Sequence, residues 1–336
     1  MNTIAKPIEN IDTLWTPADP LGEALHFLRM SSIFCSRSEL SGSWSIALPA
    51  MQDCLMFHVV SSGQCWFEAD GVESRLLKPG DFALVPHGKG HILSSEPGMP
   101  TTDLFDLPRE QISERYEIIR HRNGNDMPTK LICGAVRFSH PAARHLVELL
   151  PKIICIESWD SPQMSWIQST LRLMAAEASE LLPGGETVIT RLADILVIQA
   201  IRSWMEKDPA AQTGWLGALQ DKQIGQSILL IHRNPERKWT VNSLAEKVAM
   251  SRSAYAARFK EIVGESPMQY VARWRMNVAQ MWIREENLPF TEIASRLGYD
   301  SEAAFNRAFK RIIGVTPGST RSNARRTGDE LYGIQQ

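Results

Sequence analysis

The sequence predicts an α+β multidomain protein, with an N-terminal β-barrel, a helical hairpin, and a C-terminal all-α domain of tandem helix-turn-helix units. Two observations predict this fold class. Between residues 31 and 108, short apolar runs alternate with turns that contain Gly and Pro, which is typical of a small barrel or sandwich. Beyond residue 208 the apolar residues recur at helical spacing, and one helix-turn-helix pattern occurs twice.

Length and composition exclude several classes of protein. The chain has 336 residues, with 43% hydrophobic and 22% charged residues, which suits a globular protein of about two domains. No run approaches the roughly 20 apolar residues of a membrane span, and the N-terminus lacks the apolar core of a signal peptide. We therefore expect cytoplasmic residence and no membrane partner. The five cysteines have no CxxC spacing and are expected to be free thiols.

Changes in periodicity give the predicted domain boundaries. Residues 1–210 form the first domain, with the barrel at about 30–140 and a helical dimerisation segment at about 141–207. The polar segment 208–220 is predicted to be a linker. Residues 221–325 form the helix-turn-helix domain, and residues 326–336 form a flexible tail. The helical segment carries a wide apolar arc, which predicts packing on the barrel and on a second copy of the chain.

Two stretches near the C-terminus, 245–267 and 294–317, repeat each other. A Phe-Lys pair, an Ile, a Gly and a Pro recur at a constant offset of 50. Each copy predicts a short helix, a turn and a second helix, which Ser251 and Ser301 would cap. Between the copies, residues 267–286 predict one long helix that starts at Pro267. About 20 helical residues span roughly 30 Å, close to the roughly 34 Å of one turn of DNA.

Charge is distributed unevenly along the chain. Residues 1–220 contain 18 Lys and Arg against 26 Asp and Glu, whereas residues 221–326 contain 18 against 10. A basic domain attached to an acidic one suggests a polyanionic partner, because binding to phosphates releases counterions. The second helix of a helix-turn-helix unit enters the major groove. Together the charge and the repeat predict double-stranded DNA as the partner.

The run LGYDSEAAFNRAFKRIIGVTP, residues 297–317, closely resembles the signature of AraC/XylS-type transcription regulators, and the resemblance extends over about 223–321. It implies a sequence-specific DNA-binding transcription regulator, with RNA polymerase as a further partner if the protein is an activator. It implies DNA contacts from Arg252, Ser253, Arg258, Lys260, Glu302, Asn306, Arg307 and Lys310.

The implied contacts differ in kind. Arg307 suits a guanine and Asn306 an adenine or a phosphate, whereas Lys260 and Lys310 suit phosphates. The family often has Arg where this chain has Ala257, and here Arg258 stands one place later. Arg258 is expected to turn toward a phosphate or an acidic neighbour.

The spacing Gly80-x5-Pro86-x-Gly88-x2-His91 resembles the second cupin motif, and LICGAVRFSHP, residues 131–141, resembles the sensing domain of a subset of these regulators. In the first cupin motif His58 is present, but Val60 and Gln64 stand where a second His and a carboxylate would bind a divalent metal. Catalytic metal sites generally keep three protein ligands. We therefore predict no enzyme, no cofactor and no metal, with a metal-dependent cupin enzyme as the less favoured alternative.

Strand alternation places Cys54, Met56 and His58 on one face, and a cupin-like fold would turn that face into the barrel interior. The predicted effector pocket consists of Cys54, Met56, His58, Gln64, Trp66 and His91. These side chains suit a small molecule or a soft metal, and a thiolate near His58 would suit an oxidant sensor. Ordinary packing of the same residues in the core is the alternative.

Overall fold

The computed structural model describes residues 21–22, 25, 33–51, 53–113, 115–123, 126–138, 140–157, 165–180, 182–286 and 288–322. Residues 33–138 and 143–208 lie in one compact unit, called here the N-terminal unit, and residues 209–322 lie in another, the C-terminal unit. The predicted tail at 326–336 lies outside the described residues. Within the described ranges, no helix combines the length and the apolar composition that crossing a bilayer requires.

Two β-sheets build the N-terminal unit, as the sequence predicts. Their strands are β1 Ile33–Ser41, β2 Ser45–Leu48, β3 Cys54–Ser62, β4 Cys65–Ala69, β5 Val72–Leu77, β6 Phe82–Val85, β7 His91–Ser94, β8 Thr102–Asp103, β9 Arg109–Ser113, β10 Tyr116–Arg122, β11 Thr129–Arg137 and β12 Ile154–Ile156. Among the described residues, one sheet has the order β12-β6-β3-β11-β1-β10-β9 and the other β5-β4-β7-β2-β8. Most neighbouring strands are antiparallel, whereas β1–β10 and β2–β8 are parallel.

The inner faces of the two sheets share one hydrophobic core. Met56 and Val60 of β3 lie in this core together with Phe67 and Leu93 of the other sheet. Because side chains alternate along a strand, His58 between Met56 and Val60 points into the same interior. The sheets therefore enclose Met56, Val60 and His58 of β3.

Helix α1 Pro141–Glu148, which belongs to the N-terminal unit from residue 143 onward, lies between β11 and β12 in the chain. Two further helices, α2 Ser165–Glu180 and α3 Gly185–Lys207, follow β12. Helices α2 and α3 pack on each other, which confirms the predicted helical hairpin. The C-terminal end of α2 is tied to the outer face of the larger sheet. The carbonyl oxygen of Ala178 accepts hydrogen bonds from Arg37 Nη1 at 2.8 Å and from the Tyr116 hydroxyl at 3.2 Å.

The C-terminal unit is helical throughout its described elements. They are α4 Gly214–Gln220, α5 Lys222–Arg233, α6 Val241–Lys247, α7 Arg252–Val263, α8 Pro267–Glu285, α9 Phe290–Arg296 and α10 Glu302–Ile313. The pairs α6–α7 and α9–α10 are the two helix-turn-helix units that the repeat predicts. Helix α8 is the predicted connecting helix, with Pro267 in its first turn and Ser266 as its cap.

The prediction of a linker over 208–220 is wrong for residues 214–220, which form α4. Trp215, Leu216 and Leu219 of this helix are buried. The Trp215 indole N–H donates to the hydroxyl of Tyr270 in α8 at 2.8 Å. In the sequence, Gly214 and Gly217 favour a turn. Burial of the apolar side chains nevertheless stabilises a helix here, as tertiary packing generally does for short helices.

Replacing Trp215 by Ala should lower the free energy of unfolding of the C-terminal unit by about 3–5 kcal/mol, the usual range for deleting a buried aromatic side chain. Urea unfolding of the full chain, followed by helical circular dichroism, measures this change. Phe105→Ala in the N-terminal unit is the control, because Phe105 is 62% exposed. Equal unfolding curves for the two variants would mean that α4 does not belong to the helical core.

Candidate functional site

The second helix of each helix-turn-helix unit begins after a serine N-cap and ends at a glycine. Ser251 and Ser301 each accept a hydrogen bond from the backbone N–H three residues later, as predicted for N-caps. Gly264 and Gly314 end the helices with φ of 88°. A left-handed conformation at this place favours glycine, since it has no Cβ. The repeat therefore specifies two helices of equal length and equal boundaries.

Each of these helices buries one face and exposes the other. Tyr255 and Phe259 of α7 are fully buried, and Phe305 and Phe309 hold the same places in α10. Helical periodicity puts a second set of residues on the opposite, exposed face. These are Ser253, Ala257, Lys260 and Glu261 in α7 and Ala303, Arg307, Lys310 and Arg311 in α10.

The predicted DNA-contact residues differ in their accessibility. Five of them are exposed: Arg252, Ser253, Lys260, Arg307 and Lys310. Glu302 and Asn306 lie half-buried on the flank of α10. The Asn306 side-chain carbonyl oxygen is buried without a hydrogen-bond partner. The exposed residues lie on α7 and α10, where a DNA groove can reach them.

Arg258 is engaged within the protein. Its Nη2 donates to Asp221 Oδ2 at 2.6 Å, and its Nε donates to the same oxygen at 3.3 Å. The other carboxylate oxygen of Asp221 accepts the backbone N–H groups of Gln223 and Ile224 and so caps α5. Of the two expectations for Arg258, the acidic neighbour is the one that this structure contains.

The loop that follows α5 and leads into the first helix-turn-helix unit contacts the second unit. Gly298, in the turn of the second unit, has φ of 73°, and a Cβ there would lie 2.6 Å from the carbonyl oxygen of Glu236. Arg275 of α8 donates its Nε to the carbonyl oxygen of Pro235 at 2.7 Å and its Nη2 to that of Arg237 at 2.8 Å. These contacts join the loop before the first unit to the second unit and to the connecting helix.

In the barrel interior, His58 and His91 form a buried pair. Their Nε2 atoms lie 2.7 Å apart. The His91 Nδ1 atom lies 3.3 Å from the carbonyl oxygen of Lys89, which can only accept, so that nitrogen carries the proton. His91 Nε2 then accepts from the N–H of His58 Nε2. This assignment leaves His58 Nδ1 as a buried acceptor without a partner.

Burial keeps both imidazoles neutral at neutral pH. Desolvation, reinforced by the neighbouring His91, lowers the pKa of His58 well below its usual value. Burial also lowers the pKa of His91 to about 4. Charging either ring would place an unsolvated cation beside the other ring, which explains the direction of both shifts.

The structure brings together only part of the predicted effector pocket. Met56, His58 and His91 lie in the barrel interior, and Cys54 is buried at the start of the same strand. Gln64 is exposed in the turn after β3, so the prediction that it lines the pocket is wrong. The prediction that Trp66 lines the pocket is also wrong. Its neighbours Cys65 and Phe67 lie in the core, so strand alternation turns Trp66 to the opposite face.

Strand pairing adds interior residues that the sequence analysis missed. Cys133 is the register partner of His58, Ser36 that of Cys133, and Glu117 that of Ser36. Burial raises the pKa of Glu117, whose Oε2 lies 3.4 Å from Arg109 Nη1 and whose Oε1 is buried without a partner. The signal that the sequence offered is a carboxylate flanked by the apolar residues Tyr116 and Ile118, but the sequence does not show the register between distant strands.

The barrel interior does not favour the metal or thiolate alternatives. Within the described part of the chain, no three His, Cys, Asp or Glu residues are grouped so that they could hold a metal. The Nε2 atoms of His58 and His91 are 2.7 Å apart, which is a hydrogen-bond distance and is shorter than the roughly 3.3 Å between two tetrahedral ligands of zinc at about 2.0 Å. Burial raises the pKa of every cysteine thiol: Cys35, Cys54, Cys65, Cys133 and Cys155. Raised values disfavour the thiolate that an oxidant sensor needs.

Comparison with known proteins agrees with the division of the chain into the N-terminal unit and the C-terminal unit. Residues 19–206 match a family model described as Cupin, and residues 244–323 match one described as Helix-turn-helix domain. A putative AraC-like transcription regulator of Streptomyces lividans is 32% identical over 91% of this chain and 98% of that protein. Another, of Streptomyces antibioticus, is 32% identical over 91% and 99%. The HTH-type transcriptional regulator AlkR of Acinetobacter baylyi is 28% identical over 82% and 90%.

Acidification should destabilise the N-terminal unit through the histidine pair. The unfolded chain protonates its histidines near pH 6.5, whereas His91 in the folded chain stays neutral down to about pH 4. Stability that is fully present above pH 6.5 is therefore lost as the pH falls toward 4, by about 3 kcal/mol for His91 alone.

Urea unfolding between about pH 4 and about pH 7 measures this loss. His91→Gln is the control, because glutamine does not titrate in this range. The wild type should lose about 3 kcal/mol more than the variant. If the free energy of unfolding falls by the same amount in the two proteins over this pH range, the histidine pair is not buried and neutral in the folded chain.

Proposed function

Since this chain belongs to the family of AraC-like transcription regulators and so binds DNA, we propose that α7 and α10 together read one operator and that the barrel senses a small molecule. The observation that carries the proposal is the tandem of capped helices, each with its aromatic residues buried and its opposite face exposed. In the proposed complex, the exposed faces of the two helices enter successive stretches of major groove.

The exposed face of α10 has the chemistry for direct readout. Arg307 lies at its centre and presents a guanidinium that can fork onto the O6 and N7 atoms of a guanine. Lys310 and Arg311 lie about one turn later on the same face. Because the N-terminal part of a recognition helix meets the base edges, these later cations suit phosphates. We assign base readout to Arg307 and backbone contact to Lys310.

We further propose that the interior of the barrel holds the effector and that the chain is not an enzyme. Among the described residues, His58 Nδ1 and Glu117 Oε1 are buried acceptors without partners, and such atoms destabilise the folded chain unless a donor reaches them. A small molecule with N–H or O–H groups would supply those donors. To act as a signal it must bind the two states of the regulator with different affinity.

We propose a homodimer that forms through the helical hairpin. Leu173 of α2 and Val188 and Ile195 of α3 are exposed, although all three are large apolar residues. Val188 and Ile195 are seven residues apart and therefore share one stripe of α3. A second copy of the chain would cover this stripe. If the output is activation, RNA polymerase is a further partner, and the DNA partner suits a cytoplasmic location.

The operator is taken as the DNA sequence that the chain selects from random duplexes. Arg307→Ala should weaken binding to this operator by about 1–3 kcal/mol and relax the preference at one base pair. Lys310→Ala should instead weaken binding to all sequences alike and flatten the dependence of affinity on salt, because it removes a phosphate contact. Fluorescence anisotropy on the operator, on its single-base variants and at several salt concentrations separates the two effects. An unchanged base preference in Arg307→Ala would remove this residue from the readout.

Ile195→Asp should raise the dissociation constant of the dimer at least about tenfold, because a carboxylate would be buried without a partner. Sedimentation equilibrium of the full chain measures the constant. Thr187→Asp is the matched control, since it adds the same charge at an exposed position of α3 that lies off the stripe. If both variants associate like the wild type, the stripe is not the dimer interface.

A further inference from the structure

We propose that α7 recognises the C5-methyl group of a thymine and that Ala257 makes the contact. The inference rests on the proposed docking of α7 in the major groove. It assigns to the first helix-turn-helix unit a readout that is apolar, in contrast to the charged readout of the second.

Ala257 occupies the centre of the exposed face of α7. Tyr255 and Phe259, on either side of it in sequence, are fully buried, and Ala257 is therefore turned away from the core. One turn earlier, Ser253 is exposed on the same face. In the second unit the place of Ala257 is held by Arg307, at the repeat offset of 50. A methyl group thus stands where the other unit presents a guanidinium.

No neighbouring cation takes over the centre of this face. Arg258 is the next residue, but its guanidinium donates twice to the carboxylate of Asp221. That carboxylate is itself held in place, because its other oxygen caps α5. Arg252 is the first residue of α7 and lies on its flank rather than at the centre of the exposed face. The first two turns therefore present only a hydroxyl and methyl groups at their centre.

The exposed faces of the two helices also differ in charge. In α7 the Lys260 ammonium is followed directly by the Glu261 carboxylate, so this face carries no net charge. In α10 the same places are taken by Lys310 and Arg311, in addition to Arg307. The phosphate contacts that hold the protein on DNA fall mainly to α10. Helix α7 is left to contribute close packing against the base edges.

The major-groove edges of the four base pairs contain one apolar group, the methyl group of thymine. When this methyl group packs against Ala257, apolar surface is removed from water and no polar group is buried. A guanine or an adenine at the same place would turn hydrogen-bond acceptors toward a methyl group and leave them unsatisfied. The chemistry of Ala257 therefore selects thymine and disfavours a purine.

The experiment uses the full chain and DNA that the chain itself selects from random duplexes. Each thymine of the selected site is replaced in turn by deoxyuridine, which lacks only the C5-methyl group. At one thymine, we expect the affinity of the wild type to fall about fourfold, the effect of one buried methyl group. In Ala257→Gly the same replacement should have no further effect. The comparison is made within each variant, so the weakening of the helix by glycine cancels.

Ala303→Gly is the matched control, because it introduces the same glycine on the exposed face of α10. It should keep the fourfold response to deoxyuridine at that thymine. Ala257→Ser serves if the glycine variant does not fold, since its hydroxyl would meet the thymine methyl and reduce the response. A response that persists unchanged in the Ala257 variants, or a selected site at which no thymine responds, overturns the proposal. A selection that enriches no sequence would instead refute the joint readout by α7 and α10.

Discussion

Helix α8 is the element on which both helix-turn-helix units depend, because each unit buries its side chains against it. Tyr270 near its start lies 5.6 Å from the ring of Phe259 and accepts the indole hydrogen bond of Trp215. Further along, Arg275 holds two carbonyl groups of the loop after α5, and α10 packs on the same helix. Both recognition helices therefore pack on the same connecting helix.

The two units keep the same core while their surfaces differ. Aromatic residues, serine caps and glycine ends recur at the repeat offset because packing and capping require them in both copies. Neither packing nor capping constrains the exposed faces. There, Ala257 of the first unit occupies the position that Arg307 holds in the second unit. A similar separation holds in the barrel, where apolar residues fill the core and a few buried polar atoms, including His58 Nδ1, have no hydrogen-bond partner among the described residues.

Much of the fold and part of the site could be predicted from the sequence. The repeat, Ser251, Ser301 and Pro267 determine local structure directly, so the tandem helices and their connector follow from it. The resemblance to the cupin motif also brought His58 and His91 together correctly. Helix α4 was missed because its stability comes from burying Trp215 against distant residues rather than from local signals. Gln64 and Trp66 were misplaced because motif spacing shows neither where a strand ends, as at Gln64, nor which face of a strand a residue occupies, as at Trp66. Glu117 joins the interior through a strand register that only the folded chain defines.

The proposed function depends on two recognition helices that meet one face of a duplex at the same time. Hydroxyl-radical footprinting of the full chain on its selected site tests this arrangement. We expect two protected patches on the same face of the DNA, with centres about one helical turn, roughly 10 base pairs, apart for each bound chain. A single patch, or two patches on opposite faces of the duplex, would contradict this arrangement.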